Sequence, residues 1–221
     1  MAESGFERTS ESERQFLPPE RARWSLWPWF LLLGALVVVV AVRFGIVTPP
    51  PEARGERDPA VGKKLTRFRL EPLTGDSKQV TEADLDGKVT LVNFWGPWCG
   101  ACAIEFPHLV ELEEHFRSRS GFQFFSVSSN ADPRDEEGLR EGTEQFLKQH
   151  QAEFATYRDP QAETMLALTK SAELGDFAFP ATLLLGPGGV IRGLWIGYVP
   201  GDEVAVRSAI EKALVELQKK S

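Results

Sequence analysis

A chain of 221 residues has room for one domain of ordinary size with added segments, or for two small domains. Its 42% hydrophobic and 26% charged content is that of a folded globular protein, not of a disordered one. A net charge of −7 leaves no basic footprint for nucleic acid, and two cysteines are too few for a disulfide framework, so a packed core must hold the fold.

Residues 1–23 read as a polar tail that carries Glu3, Glu7, Glu11, Glu13 and Glu20. Residues 24–47 are expected to form a transmembrane anchor. Within them, "WSLWPWFLLLGALVVVVAV" runs 19 residues without a charge, enough to cross roughly 30 Å of hydrocarbon at about 1.5 Å per helical residue. Trp24, Trp27 and Trp29 gather at one end, as aromatic side chains do at a membrane interface, and Pro28 lies where a helix tolerates it best. The alternative is a cleaved secretory signal. The acidic tail and the lack of a small-x-small cleavage site speak against it. A buried core helix is disfavoured because no polar stripe interrupts the run. Arg14, Arg21 and Arg23 on one side balance Arg43, Arg54 and Arg57 on the other, so the distribution of basic residues does not fix the orientation; the closeness of Arg21 and Arg23 leans toward an inside N-terminus.

Residues 48–60, "TPPPEARGERDPA", combine proline and charge and read as an extended spacer. Residues 61–221 mix strand and helix patterns. "LTRFRLEPL" alternates loosely, as an outer strand does. "VTLVNFW", Val89 to Trp95, is nearly continuous and β-favouring, as expected of a central strand covered on both faces. In "CAIEFPHLVELEEHFRSR" the spacing of Leu109, Leu112 and Phe116 predicts one buried helical face. "FQFFSVSS" reads as a second buried strand, "DEEGLREGTEQFLKQHQ" as a mostly solvated helix, "FATYRD" as a short strand and "QAETMLALTK" as a short helix. In "ATLLLGPGGVIRGLWIGY" the segment Gly186-Pro187-Gly188-Gly189 joins two strands into a hairpin. Asp202 is expected to cap a last helix lined by Val206, Ile210, Ala213 and Leu217. From the central strand onward the order is β-α-β-α-β-α-β-β-α, which implies an α/β fold with a mixed central sheet and helices on both faces.

The only cysteines, Cys99 and Cys102, lie in "WGPWCGACAIEFP" at the junction of the central strand and the following helix. So short a loop restricts the unfolded chain very little, which makes a stabilising staple a weak explanation. A structural zinc site wants four ligands, and no second Cys-x-x-Cys exists. His108 and His115 lie too far along the helix to converge with the cysteines, and His150 sits in a polar segment; all three are expected to be ordinary polar side chains, with no metal site. A redox couple fits better. The unpaired N–H groups and positive end of a helix stabilise a Cys99 thiolate, and Cys102, three positions on, shares its face and is placed to resolve a mixed disulfide.

"FWGPWCGAC", the Phe106-Pro107 dipeptide after it and the downstream "FPATLLLGPGGVI" resemble the thioredoxin fold. The resemblance spans about residues 61–221 and is closest to the membrane-anchored TlpA/ResA and CcmG (DsbE) proteins. It implies that Cys99 attacks, that Cys102 resolves, and that Pro180 is a cis-proline which, with Phe179, helps to form a groove for client peptide. It implies a docking role for Trp98 and a helix kink at Pro107. Asn93 stands where thioredoxin has a buried Asp, and Glu105 matches an acidic residue that several ResA-like proteins carry near the cysteines; both are expected to tune the couple. Gly100-Ala101 replaces the Gly-Pro of thioredoxin, and a somewhat more oxidising couple is expected. The implied partners are protein disulfide clients, among them apocytochrome c, and a membrane electron donor of the thiol–disulfide type. No cofactor beyond the cysteine couple is expected. The implied location is the cytoplasmic membrane, with a single span and the C-terminal domain on the extracytoplasmic side. A disulfide oxidase or isomerase, or a non-enzymatic metal-binding or interaction module, remain as alternatives.

Overall fold

The computed structural model describes residues 27–43, 54–132, 134–175 and 177–219. The chain divides into two units, Met1–Thr48 and Pro49–Ser221. The described part of the first unit is the helix α1, Trp27–Arg43. Its side chains from Trp29 to Leu33 are exposed large hydrophobics. At 17 residues it is about 25 Å long, short of the roughly 30 Å of a hydrocarbon core. Among the described residues no helix is long and apolar enough to cross a membrane. The remainder of the expected anchor, residues 24–26 and 44–47, lies outside the described residues, as do the tail and the first part of the spacer.

The second unit is built on a seven-stranded mixed sheet in the order β2-β1-β5-β4-β3-β6-β7. Its elements are β1 (Arg69–Thr74), β2 (Val80–Thr81), β3 (Val89–Trp95), α2 (Gly100–Phe116), β4 (Phe122–Ser128), α3 (Glu136–Gln149), β5 (Thr156–Arg158), α4 (Glu163–Ala172), β6 (Ala181–Gly186), β7 (Val190–Ile196) and α5 (Asp202–Gln218). The expected α/β order is present, with the two-residue β2 as an edge strand that the pattern does not reveal. Strand β3 lies at the centre, parallel to β4 and antiparallel to β6. All seven of its residues are buried, which is why its sequence is apolar without alternation.

The two faces of β3 feed different cores. Val92 and Phe94 join Phe68, Leu168 and Leu183 on one face. Val89 and Leu91 join Leu112, Phe116, Val206 and Ile210 on the other, beneath α2 and α5. A third cluster holds the cysteines with Trp95, Phe106, Leu109, Phe146 and Leu147. Helix α3 is mostly solvated, as expected, and buries one stripe through Leu139, Thr143, Phe146 and Leu147.

The hairpin at Gly186-Pro187-Gly188-Gly189 joins β6 and β7 as expected. Gly188 and Gly189 both take positive φ, of 69° and 78°, where side chains are strained. Asp202, expected as a cap, is instead the first residue of α5, and Gly201 (φ 102°) takes the capping position. The Asp202 carboxylate turns inward and accepts from the Val199 N–H at 2.8 Å.

Candidate active site

Strand β3 delivers the chain through Gly96 and Pro97 to Cys99, the N-cap of α2. Cys99 and Cys102 are joined as a disulfide. The Cys102 N–H points at the Cys99 sulfur at 3.2 Å, so a first-turn amide that no backbone carbonyl can reach is directed at that atom. Cys99 keeps 7% of its surface and Cys102 none. The two thiols of the reduced pair are thus unequal: one is reachable and faces a helix N-terminus, the other is enclosed. A thiolate at the first position is favoured by the dipole and the amide donor, whereas the enclosed sulfur sits in apolar surroundings that disfavour charge. The helix runs on through Pro107, which leaves the Ala103 carbonyl without its usual i→i+4 donor.

One turn after Cys102, Glu105 is 7% exposed. The antiparallel register of β3 and β6 sets Thr182 beside Asn93, and both side chains reach the Glu105 carboxyl. Asn93 Nδ2 donates to Oε2 at 2.9 Å, and Thr182 Oγ1 donates to Oε1 at 2.9 Å. Burial pushes the Glu105 carboxyl up to about 7, while the hydrogen bonds from Asn93 and Thr182 pull it down; Asp202 raises it and Arg54 lowers it. Burial is the largest effect. Near neutral pH this is a carboxyl able to hold or release a proton inside the domain. Asn93 Oδ1 is buried without a hydrogen-bond partner among the described residues.

The surface beside Cys99 is aromatic. Trp98 is 50% exposed and its indole N–H donates to the Ser129 carbonyl at 2.9 Å. It meets Phe179 edge-on with ring centroids 5.4 Å apart, and Phe179 meets Phe177 at the same separation. The Phe179–Pro180 peptide is cis. A cleft of about 670 Å³ opens from Phe179 and Ser129 toward Glu71, Arg158 and Asp159. It gives the aromatic rim a concave neighbour.

The expected site residues thus fall into two groups. Trp98 and Phe179 belong to the surface, and Cys99, 7% exposed, lies just beneath it. Cys102, Glu105, Asn93 and Pro180 are interior. Thr182, Arg54 and Asp202 were missed. Thr182 was legible only as part of a strand, and the Arg54–Asp202 contact spans 148 positions. His150, expected to be solvated, is half-buried at the end of α3 against Phe146, ring centroids 4.3 Å apart, and burial lowers its pKa. Among the described residues, no three His, Cys, Asp or Glu side chains are grouped to hold a metal ion.

Residues 60–214 match the Redoxin family. The chain is 28% identical over 171 residues to the thiol:disulfide interchange protein DsbE of Pseudomonas aeruginosa, covering 76% of this chain and 83% of that one. It is 26% identical over 162 residues to the thiol-disulfide oxidoreductase ResA of Bacillus subtilis, covering 73% and 81%. A thioredoxin-family thiol:disulfide interchange protein from Chlorobium tepidum, 21% identical, superposes with a TM-score of 0.55 over 68% of this chain and 95% of that one, which shows the fold. The chain therefore belongs to the Redoxin family and is a thioredoxin-like oxidoreductase of the DsbE/ResA type.

Proposed function

We propose that the chain reduces disulfides of client proteins outside the cytoplasmic membrane, through a dithiol–disulfide cycle at Cys99 and Cys102. The observation that carries this reading is the inequality of the two sulfurs, Cys99 on the N-cap of α2 keeping 7% of its surface and Cys102 fully enclosed behind it. In the reduced protein the Cys99 thiolate attacks a client disulfide, forming a mixed disulfide and releasing one client thiolate, which takes a proton from solvent. The Cys102 thiol gives its proton to Glu105 and attacks the Cys99 sulfur. The Cys99–Cys102 bond forms, the second client thiolate leaves and is protonated, and two electrons have passed to the client. Trp98 and Phe179 form the docking rim, with the buried cis Pro180 following Phe179. A membrane thiol–disulfide donor returns two electrons to the couple, and no further cofactor enters the cycle.

Tethering supports the location. A reductase needs an anchor where its electrons arrive at a membrane, and the uncharged run from Trp24 to Val42, part of it the exposed apolar helix α1, suits that role. The relatives named DsbE and ResA support a thiol–disulfide exchange activity. The client class that fits is the Cys-x-x-Cys-His haem-attachment site of apocytochrome c. The test is to mix the reduced full-length chain with an oxidised Cys-x-x-Cys-His peptide and count released thiols. Stoichiometric reduction is expected; a peptide left oxidised while the chain stays reduced contradicts the reading.

A further inference from the structure

Arg54, midway along the spacer, is clamped onto the redox domain. Its guanidinium donates to the carbonyls of Ile196 at 2.9 Å and Gly197 at 3.1 Å, and its Nε donates to Asp202 Oδ1 at 3.3 Å; its Nη2 also pairs with Oδ2. Asp202 is 4% exposed, so this carboxylate meets a cation on its solvent side and has little water to screen it on the other. That other side opens on a small cavity with Glu105, His108, Tyr198 and Glu203 on its polar wall and Leu109, Leu112 and Val206 on its apolar one. It leaves about 10 Å³ for the centre of a water molecule, roughly the room that one water needs. The Trp195 indole lines it too, and its buried Nε1 has no hydrogen-bond partner among the described residues. Neither cysteine, nor Trp98, Phe179 or Pro180, borders this cavity.

Glu105 thus has a neighbourhood on the α5 side that is separate from the client-facing surface. We propose that the Arg54–Asp202 ion pair is a positioning device which sets how tightly Glu105 holds its proton, and that the proton exchanges with solvent through the cavity between α2 and α5. The groups facing Glu105 there are His108 from α2, Tyr198 from the loop after β7, Asp202 and Glu203 from α5, and Arg54 from the spacer; Asn93 and Thr182 hold its other side. Tyr198 donates its hydroxyl to Glu203 Oε2 at 3.1 Å, and the His108 ring lies over Tyr198; all three side chains are half-buried and reach solvent. The consequence is that the spacer is part of the redox site: a charge carried by the tether acts on the buried carboxyl through Asp202. The inference rests on the reading of Glu105 as the proton partner of the cysteine couple.

The experiment follows the Glu105 carboxyl of the full-length chain by infrared difference spectroscopy across pH, with Glu105→Gln to identify its band. Removing the negative neighbour in Asp202→Asn moves the midpoint to lower pH. Removing the cation in Arg54→Gln leaves Asp202 uncompensated and moves it to higher pH, and Arg54→Lys restores the native value. Shifts of opposite sign are the signature, because a general loosening of the domain moves both variants the same way. No shift in either, or a shift of one sign in both, overturns the proposal. Asp202 is buried and Arg54 is partly exposed, so if Asp202→Asn fails to fold, the comparison of Arg54→Gln with Arg54→Lys decides alone. The pH profile of disulfide reduction by Glu105→Gln tests the underlying reading separately: a profile equal to that of the native chain removes the proton-partner role and leaves the coupling measured by the midpoints intact.

Discussion

Asn93 Nδ2 lies 2.9 Å from Glu105 Oε2, so the central strand holds the carboxyl that follows Cys102 in the active-site helix. The same Asn93 nitrogen lies 2.9 Å from Thr182 Oγ1, and Thr182 in turn donates to Glu105. Three elements that meet at the cysteine pair are thereby joined through one titratable group.

The first consequence concerns stability. A folded-state value of about 7 lies above the unfolded value near 4.5, so Glu105 stabilises the fold in its protonated form. That contribution is complete below about pH 4.5 and is lost as pH rises through 7, where ionisation must occur in the interior. The size is on the order of 3 kcal/mol. Denaturant unfolding of Glu105→Gln, measured from pH 5 to 8, is expected to show a flatter stability profile than the native chain. Equal slopes in the two proteins refute the assignment.

The cysteines should fail differently. Cys99→Ser abolishes insulin-disulfide reduction, because the only sulfur of the pair with any surface exposure is gone. Cys102→Ser still attacks but has no resolving thiol, and accumulates mixed disulfides with client, visible on a non-reducing gel. Full activity in Cys99→Ser contradicts the assignment of the nucleophile.

Trp98 touches the fold through one indole hydrogen bond and the edge of Phe179. Trp98→Ala is therefore expected to cost only about 1 kcal/mol in stability. Its larger effect is a raised KM for protein clients with kcat nearly unchanged, since the lost contact acts on docking. A fall in kcat at constant KM excludes that role.

Phe106 sits beneath the active-site helix, with ring centroids 4.8 Å from Trp95 and 4.9 Å from Phe146. Phe106→Ala opens a cavity under α2 and is expected to cost about 3–5 kcal/mol, read as a lower denaturation midpoint. A loss below 1 kcal/mol shows that the cluster collapses onto the gap.

The elements that carry the cysteine pair were legible because local signals agree there. A continuous apolar strand, a turn and an amphipathic helix follow one another without a break, and the glycines at Gly188 and Gly189 mark the hairpin. What was not legible depends on distance in sequence. Asn93 and Glu105 were each singled out, but Thr182, which completes their arrangement, shows no mark beyond its place in an apolar strand. Asp202 reads as a helix cap because Asp before an apolar periodic run usually is one; the Val199 N–H and the approach of Arg54 from the spacer give its carboxylate other partners. Helix α3 reads as mostly solvated and is so, but the stripe that it buries, Leu139, Thr143, Phe146 and Leu147, is not legible. Tertiary packing selects such a stripe where the average of a window hides it.

The central claim is that the Cys99–Cys102 couple donates electrons. Its reduction potential, measured by equilibration of the full-length chain with glutathione or dithiothreitol buffers, tests that most directly. A value nearer the about −270 mV of thioredoxin than the about −120 mV of a strong oxidant is the predicted result. A value at or above about −120 mV contradicts it and makes the chain a donor of disulfides.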